Sequence, residues 1–163
     1  MTALVIDTNV LRVANGGPEY LMTCVRSCAS ALAKLQSGLI VIDDGFRLIR
    51  EYKSHARESG QPGVGDAFLL WLLRNHRNPA VCELVPLAET TPGDFDAFPS
   101  DPDLWNFDRS DRKFVAVALT SKHGPRILNA VDSDWCLFLT ALNRNGVTVE
   151  FLCPECMPKP ECR

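Results

Sequence analysis

Two apolar, strand-like runs end in carboxylates. Ala3-Leu4-Val5-Ile6 closes on Asp7, and Arg126 to Val131 closes on Asp132. In open parallel sheets, ligands bind beyond the carboxyl ends of the strands, where the chain order reverses, so both acids are candidates for one shared ligand. Two further acids could reach that edge from helices. Glu51 falls inside the helix expected after the second strand, and Asp111 falls in the first turn of a helix opened by Asp108. Carboxylates brought together repel one another unless a cation neutralises them. A hard cation such as Mg²⁺ or Mn²⁺ takes oxygen ligands, usually one or two carboxylates with water completing the shell. The chemistry open to these four acids is therefore that of a divalent metal centre.

Each acid also has a plainer reading on its own. Asp7 could cap a following helix. Glu51 could be a solvated helix residue paired with Arg47 or His55 at helical spacing. Asp111 could complete a capping arrangement begun at Asp108. Asp134 reads as a polar cap, and so do Asp43 and Asp44 at the end of the second strand.

The elements that must carry these acids alternate between strand and helix signals, the pattern of an α/β fold with a parallel sheet. After the first strand, apolar residues recur at helical spacing from Tyr20 to Gln36, and Gly38 ends that helix. Leu39 to Ile42 reads as the second strand, followed by a helix to about Ser59 that Gly60-Gln61-Pro62-Gly63 breaks. Asp66 to Asn75 is a Leu-rich helix, and Val81 to Leu87 a third strand. Ala88 to Asn106 has four Asp, three Pro and neither period, so a surface excursion is expected there. A helix from Asp108 to Lys122 follows, then the fourth strand, a helix to Arg144 and a fifth strand over Val147 to Leu152. One domain over residues 1–152 and a Cys-containing tail over 153–163 are expected, with no repeat and no linker between domains.

At this point the chain resembles the PIN-domain nucleases. Leu4-Val5-Ile6-Asp7-Thr8-Asn9-Val10-Leu11 looks like the opening of such a domain, a hydrophobic strand, an Asp and a small polar pair. Leu48-Ile49-Arg50-Glu51-Tyr52 resembles the second acidic position of the family. Asp111-Arg112-Lys113-Phe114-Val115-Ala116-Val117-Ala118 resembles the third, and Ile127-Leu128-Asn129-Ala130-Val131-Asp132-Ser133-Asp134-Trp135 the fourth. Ala130 departs from the pattern, because many relatives carry a hydroxyl two residues before that Asp.

The resemblance implies a three-layer α/β/α domain with a central, mainly parallel sheet of about five strands. It implies cleavage of phosphodiester bonds, usually in RNA, with one or two Mg²⁺ or Mn²⁺ ions as cofactor. Asp7, Glu51, Asp111 and Asp132 would be the catalytic and metal-binding acids, with Asp134 as a further ligand. Thr8, Asn9 and Asp108 would support them, and Arg50, Arg112 and Lys113 would meet substrate phosphates. The partners implied are RNA or DNA as substrate, an antitoxin protein if the chain is the toxin of a toxin–antitoxin pair, and a second copy in a homodimer. The competing reading within the same fold is a catalytically silent binding or assembly module. A haloacid-dehalogenase-type phosphatase also starts with an Asp after a strand. It wants a second Asp two residues later, where this chain has Asn9.

Composition constrains less. The 163 residues carry a net charge of −3, with 46% hydrophobic and 23% charged side chains, an ordinary globular balance. A pI near 5.6 does not advertise a nucleic-acid binder, although a metal nuclease concentrates carboxylates in its own site. There is no apolar run of membrane-spanning length and no basic-then-apolar leader, so no membrane association and a cytoplasmic location are expected. The seven cysteines are then expected as reduced thiols, with Cys24, Cys28, Cys82 and Cys136 acting as small hydrophobes. Cys153, Cys156 and Cys162 read as mobile thiols in the tail. The alternative is half a zinc site, completed by His123 or a second chain.

Overall fold

The computed structural model describes residues 2–162. Strands β1 (Ala3–Ile6), β2 (Leu39–Asp43), β3 (Cys82–Val85), β4 (Arg126–Asn129) and β5 (Thr148–Phe151) form one sheet in the order β3-β2-β1-β4-β5. Every pairing is parallel. The burial of the strands follows their place in that order. β1 and β2 are buried at every residue, as a strand covered on both faces must be, and their Ala, Leu, Val and Ile side chains suit it. The edge strands β3 and β5 carry Glu83 and Glu150, partly exposed charges that discourage further pairing.

Helices α1 (Thr8–Ala14), α2 (Met22–Lys34), α3 (Arg47–His55), α4 (Val64–Asn75), α5 (Arg112–Thr120), α6 (Asp134–Leu137) and α7 (Leu139–Arg144) flank the sheet. The result is the expected three-layer α/β/α arrangement. α5 packs across β1, β2 and β4, while α1, α2 and α4 pack on one another. The backbones of α1 and α4 come so close that a Cβ on Gly65 would lie 2.2 Å from the Leu11 carbonyl oxygen. Only glycine fits there.

The chain runs outward from β1 to β2 and β3, then returns to place β4 on the other side of β1. The reversal lies between β1 and β4, where parallel α/β sheets open a crevice at their carboxyl ends. The first helix, α1, was not among the expected elements. Seven residues are too few for a periodic signal, and burial of Val10, Leu11, Val13 and Ala14 holds it in place instead. α3 begins after Phe46, whose φ of 60° is left-handed. Asp43 caps it, accepting from the backbone N–H groups of Arg47 at 2.9 Å and Leu48 at 3.0 Å. The Tyr52 hydroxyl donates to the Ile6 carbonyl at 2.5 Å and so ties α3 to the end of β1.

Residues 88–106 are more than a surface excursion. Phe95, Phe98 and Leu104 are buried, and Phe98 stacks on Phe107. Scattered aromatic anchors give no period, so the packing of this segment was invisible to pattern reading. The tail also differs from expectation. Cys136 and Cys162 are joined as a disulfide, and Cys153, Met157 and Cys162 are buried. The expectation of seven reduced thiols and a mobile tail is thereby corrected. Contact of the tail with Cys136 and the neighbouring Leu139 and Phe151 supplies the apolar burial that holds it. Among the described residues no helix is long and apolar enough to cross a membrane.

Candidate metal centre

Asp7 directly follows β1, and its backbone N–H still bonds the Leu128 carbonyl of β4 at 3.0 Å. Its carboxylate therefore stands at the chain reversal. One oxygen, Oδ1, accepts from the Asn9 backbone N–H at 3.1 Å and caps α1. The other, Oδ2, is buried with no hydrogen-bond partner. The Trp135 indole lies near this carboxylate and slightly favours its charge, but the two do not align as a hydrogen bond, and the indole nitrogen is likewise unpartnered. A buried carboxylate oxygen left bare is costly, and it marks a position that a cation would satisfy.

Asp111 and Asp132 bring the other oxygens. Together with Asp7 they form a trio whose ligand atoms lie within 4.8 Å of one another, and among the described residues no other trio does so. Asp132 sits in the turn after β4 rather than at its last residue, since β4 stops at Asn129. Asp132 accepts from the Asp134 backbone N–H at 3.0 Å. Asn129 holds the turn by donating to the Asp132 carbonyl at 2.9 Å, and it accepts from the Asn9 side-chain amide at 2.8 Å. Asn9 in turn accepts from the Ala130 backbone N–H at 2.7 Å, so its side-chain amide fastens the two acid-bearing turns together. Asn129 was not among the expected supporting residues. Its one signal is a polar residue at the buried end of a central strand.

Charge crowding shows in the titration of the trio. Burial pushes the Asp7 carboxyl up to about 7, and the nearby charges of Asp132 and Glu51 add to that rise. Burial and the charges of Asp7 and Asp132 hold Asp111 up at about 9. Asp132 is raised as well, chiefly by burial. Burial, with mutual repulsion added, makes the three acids resist ionising together, and a positive charge among them would relieve both costs.

The remaining acids stand differently. Glu51 lines the same cavity of about 310 Å³ as the trio, but both its oxygens are engaged. One pairs with Lys113 at 2.6 Å and the other accepts from the Thr8 hydroxyl. Asp134 opens α6 beside Asp132, outside the trio. Asp108 caps the 3-10 turn at residues 109–111, accepting from the Ser110 N–H at 2.8 Å, and so presents Asp111. Of the basic residues, Arg50 is exposed and Lys113 is held by Glu51 and the Ser110 carbonyl.

Arg112, expected as a phosphate partner, is committed elsewhere. Its guanidinium pairs with Asp94 at 2.7 Å, donates to the carbonyls of Trp105 and Phe107, and lies over the Phe98 ring. Residues 88–107 wrap around it, and that packing explains why its side chain is buried. Arg12 and His55 also line the acidic cavity and were not foreseen there. Both lie on helices with no strand-end position to mark them.

Comparison with family models, with curated proteins and with solved structures finds no match. What the site can do must therefore follow from its own geometry.

Proposed function

We propose that the chain is a metal-dependent nuclease of the PIN-like kind that hydrolyses phosphodiester bonds, with RNA as its substrate class. The observation that carries this reading is the bare, buried Asp7 Oδ2 within the trio of Asp7, Asp111 and Asp132. These three would hold Mg²⁺ or Mn²⁺, an all-carboxylate set that suits hard cations. A bound ion of this kind lowers the pKa of a coordinated water and offsets charge on a scissile phosphate. Glu51, whose two oxygens are held by Lys113 and Thr8, would act through the negative charge it keeps beside the trio rather than as a direct ligand. Asn9 and Asn129 keep the Asp7 and Asp132 turns in register, which fixes the distance between the two acids.

A second cavity of about 340 Å³ adjoins the acidic one, sharing Glu51 and Ser110, and is lined by Arg47, Arg50, Arg109 and Lys113. A basic groove leading from an acidic pocket suits a polyanion whose backbone must lie on the metal. Arg50 and Arg109 are its exposed cations. The test is cleavage of single-stranded and structured RNA and DNA with Mn²⁺ or Mg²⁺, with chelator, and with the Asp111→Asn protein. Cleavage by the wild type alone, abolished by chelator, is expected. Metal-independent cleavage, or equal cleavage by Asp111→Asn, would sink the proposal.

The raised carboxyls add a pH prediction. A metal must displace the protons that Asp7 and Asp111 hold below about 7 and about 9 respectively. Mn²⁺ affinity should therefore climb through this range, by up to about tenfold per pH unit for each proton displaced. Without metal the sign for stability is opposite. The folded state binds more protons than the unfolded chain, so its advantage is full below the ordinary Asp value of 3.8. It is lost as pH rises through the folded values of about 7 and about 9. Calorimetric titration with Mn²⁺ and thermal melts across this range check both slopes. An affinity flat with pH would mean that Asp7 and Asp111 are not ligands.

A further inference from the structure

Four of the five unpaired cysteines gather at one place outside the acidic site. Cys24 and Cys28 are four residues apart on α2, which puts both on one helix face, and both are buried. The tail returns after β5 as Cys153-Pro154-Glu155-Cys156, a C-x₂-C pair wound into a 3-10 turn. The Cys24 and Cys156 sulfurs lie 3.6 Å apart, and the Cys153 thiol neighbours both Cys24 and Cys28. Cys156 is exposed while Cys153 is fully buried, so the cluster has a mouth at the surface. Cys82, the fifth, lies apart in β3.

We propose that Cys24, Cys28, Cys153 and Cys156 are the ligands of a structural zinc ion that clamps the tail onto α2. Two short-spaced cysteine pairs brought together from distant parts of a chain are the usual donor set of a closed, four-coordinate zinc site. With Zn–S bonds of about 2.3 Å the edge of a sulfur tetrahedron is about 3.8 Å, close to the Cys24–Cys156 separation. Among the described residues only the acidic trio brings three ligand atoms within 4.8 Å of one another, so the four sulfurs stand wider than they would around an ion. Loading would have to draw the wider sulfur separations in around the Cys24–Cys156 pair, which already stands at 3.6 Å. Glu155 sits against the cluster, its carboxylate accepting from the Cys24 thiol at 3.2 Å and from the Thr23 hydroxyl at 3.1 Å. Metal loading replaces the Cys24 thiol proton and leaves Glu155 its bond to Thr23.

The site is chemically distinct from the carboxylate centre, because thiolates select a softer ion than Mg²⁺ or Mn²⁺. It also completes the attachment of the tail, whose far end is held by the Cys136–Cys162 bond. His123, which its place in the sequence offered as a ligand, is paired with Glu83 at 3.0 Å and takes no part.

The experiment is elemental analysis of the full chain purified without chelator from zinc-supplemented cells. One zinc per chain is expected in the wild type, in Asp7→Asn and in Cys82→Ala, and its loss in Cys153→Ser/Cys156→Ser. Cobalt replacement in the wild type gives a readout that needs no variant to fold. A tetrahedral thiolate site shows intense sulfur-to-cobalt charge-transfer bands that a carboxylate site does not. A wild type without zinc or those bands overturns the proposal. So does zinc that survives in the double variant, or peptide mapping that finds Cys24 and Cys156 joined as a disulfide.

Discussion

Asp7→Asn is expected to lower metal-dependent cleavage by more than about a hundredfold while making the metal-free protein more stable. The two halves have one cause. Losing a residue that merely orients a metal ligand typically costs about 10–100-fold, and Asp7 is argued to be a ligand itself, so the loss should exceed that range. Without metal the same carboxylate is a liability, buried beside the charges of Asp132 and Glu51 with one oxygen bare. Asparagine keeps an oxygen for the Asn9 N–H and adds no charge. Above about pH 7, where the wild-type carboxyl must ionise, the variant should gain about 1–3 kcal/mol. That gain raises the melting temperature by about 2–12 °C for a domain of this size. Melting curves in chelator, set beside single-turnover cleavage with Mn²⁺, decide the matter. A variant that loses activity because it melts lower would place Asp7 among the structural caps instead.

Arg112→Ala should cost about 2–4 kcal/mol and lower the melting temperature by about 4–16 °C. Its guanidinium joins Asp94, the Trp105 and Phe107 carbonyls and the face of Phe98, so truncation leaves two carbonyls unmatched and Asp94 with only the exposed Arg109 at 3.7 Å. Residues 88–107 would lose their central tie. Arg112→Lys should recover little, because a point charge cannot serve the fork geometry that reaches three acceptors. Thermal denaturation of both variants checks this. Unchanged melting with weakened RNA binding would restore Arg112 to the phosphate-binding role that its position beside Asp111 first suggested.

That reversal illustrates what pattern could and could not reveal. Arg112 and Lys113 are adjacent in sequence and look alike there, yet one is enclosed by the preceding loop and the other reaches Glu51. Arg112 is enclosed by contacts reaching back 5 to 18 residues along a segment without strand or α-helix, and no local period encodes them. α1 escaped notice for a related reason, being held by tertiary burial rather than by its own propensity. The zinc-type spacing of Cys153 and Cys156 was visible, but their companions on α2 read as core residues.

The sequence by itself determined the parallel α/β class, through buried apolar runs alternating with helical periods, and it marked Asp7 and Asp132 at strand ends, while Glu51 and Asp111 rested on the family resemblance alone. Local chemistry suffices for that, because strand burial and helix spacing are written within a few residues. Only the tertiary structure decided which acids converge. The return of the chain beside β1 brings the Asp132 turn against Asp7, while Lys113 and Thr8 hold Glu51 at the rim. Convergence depends on strand order and crossover, and these are settled by packing over the whole chain.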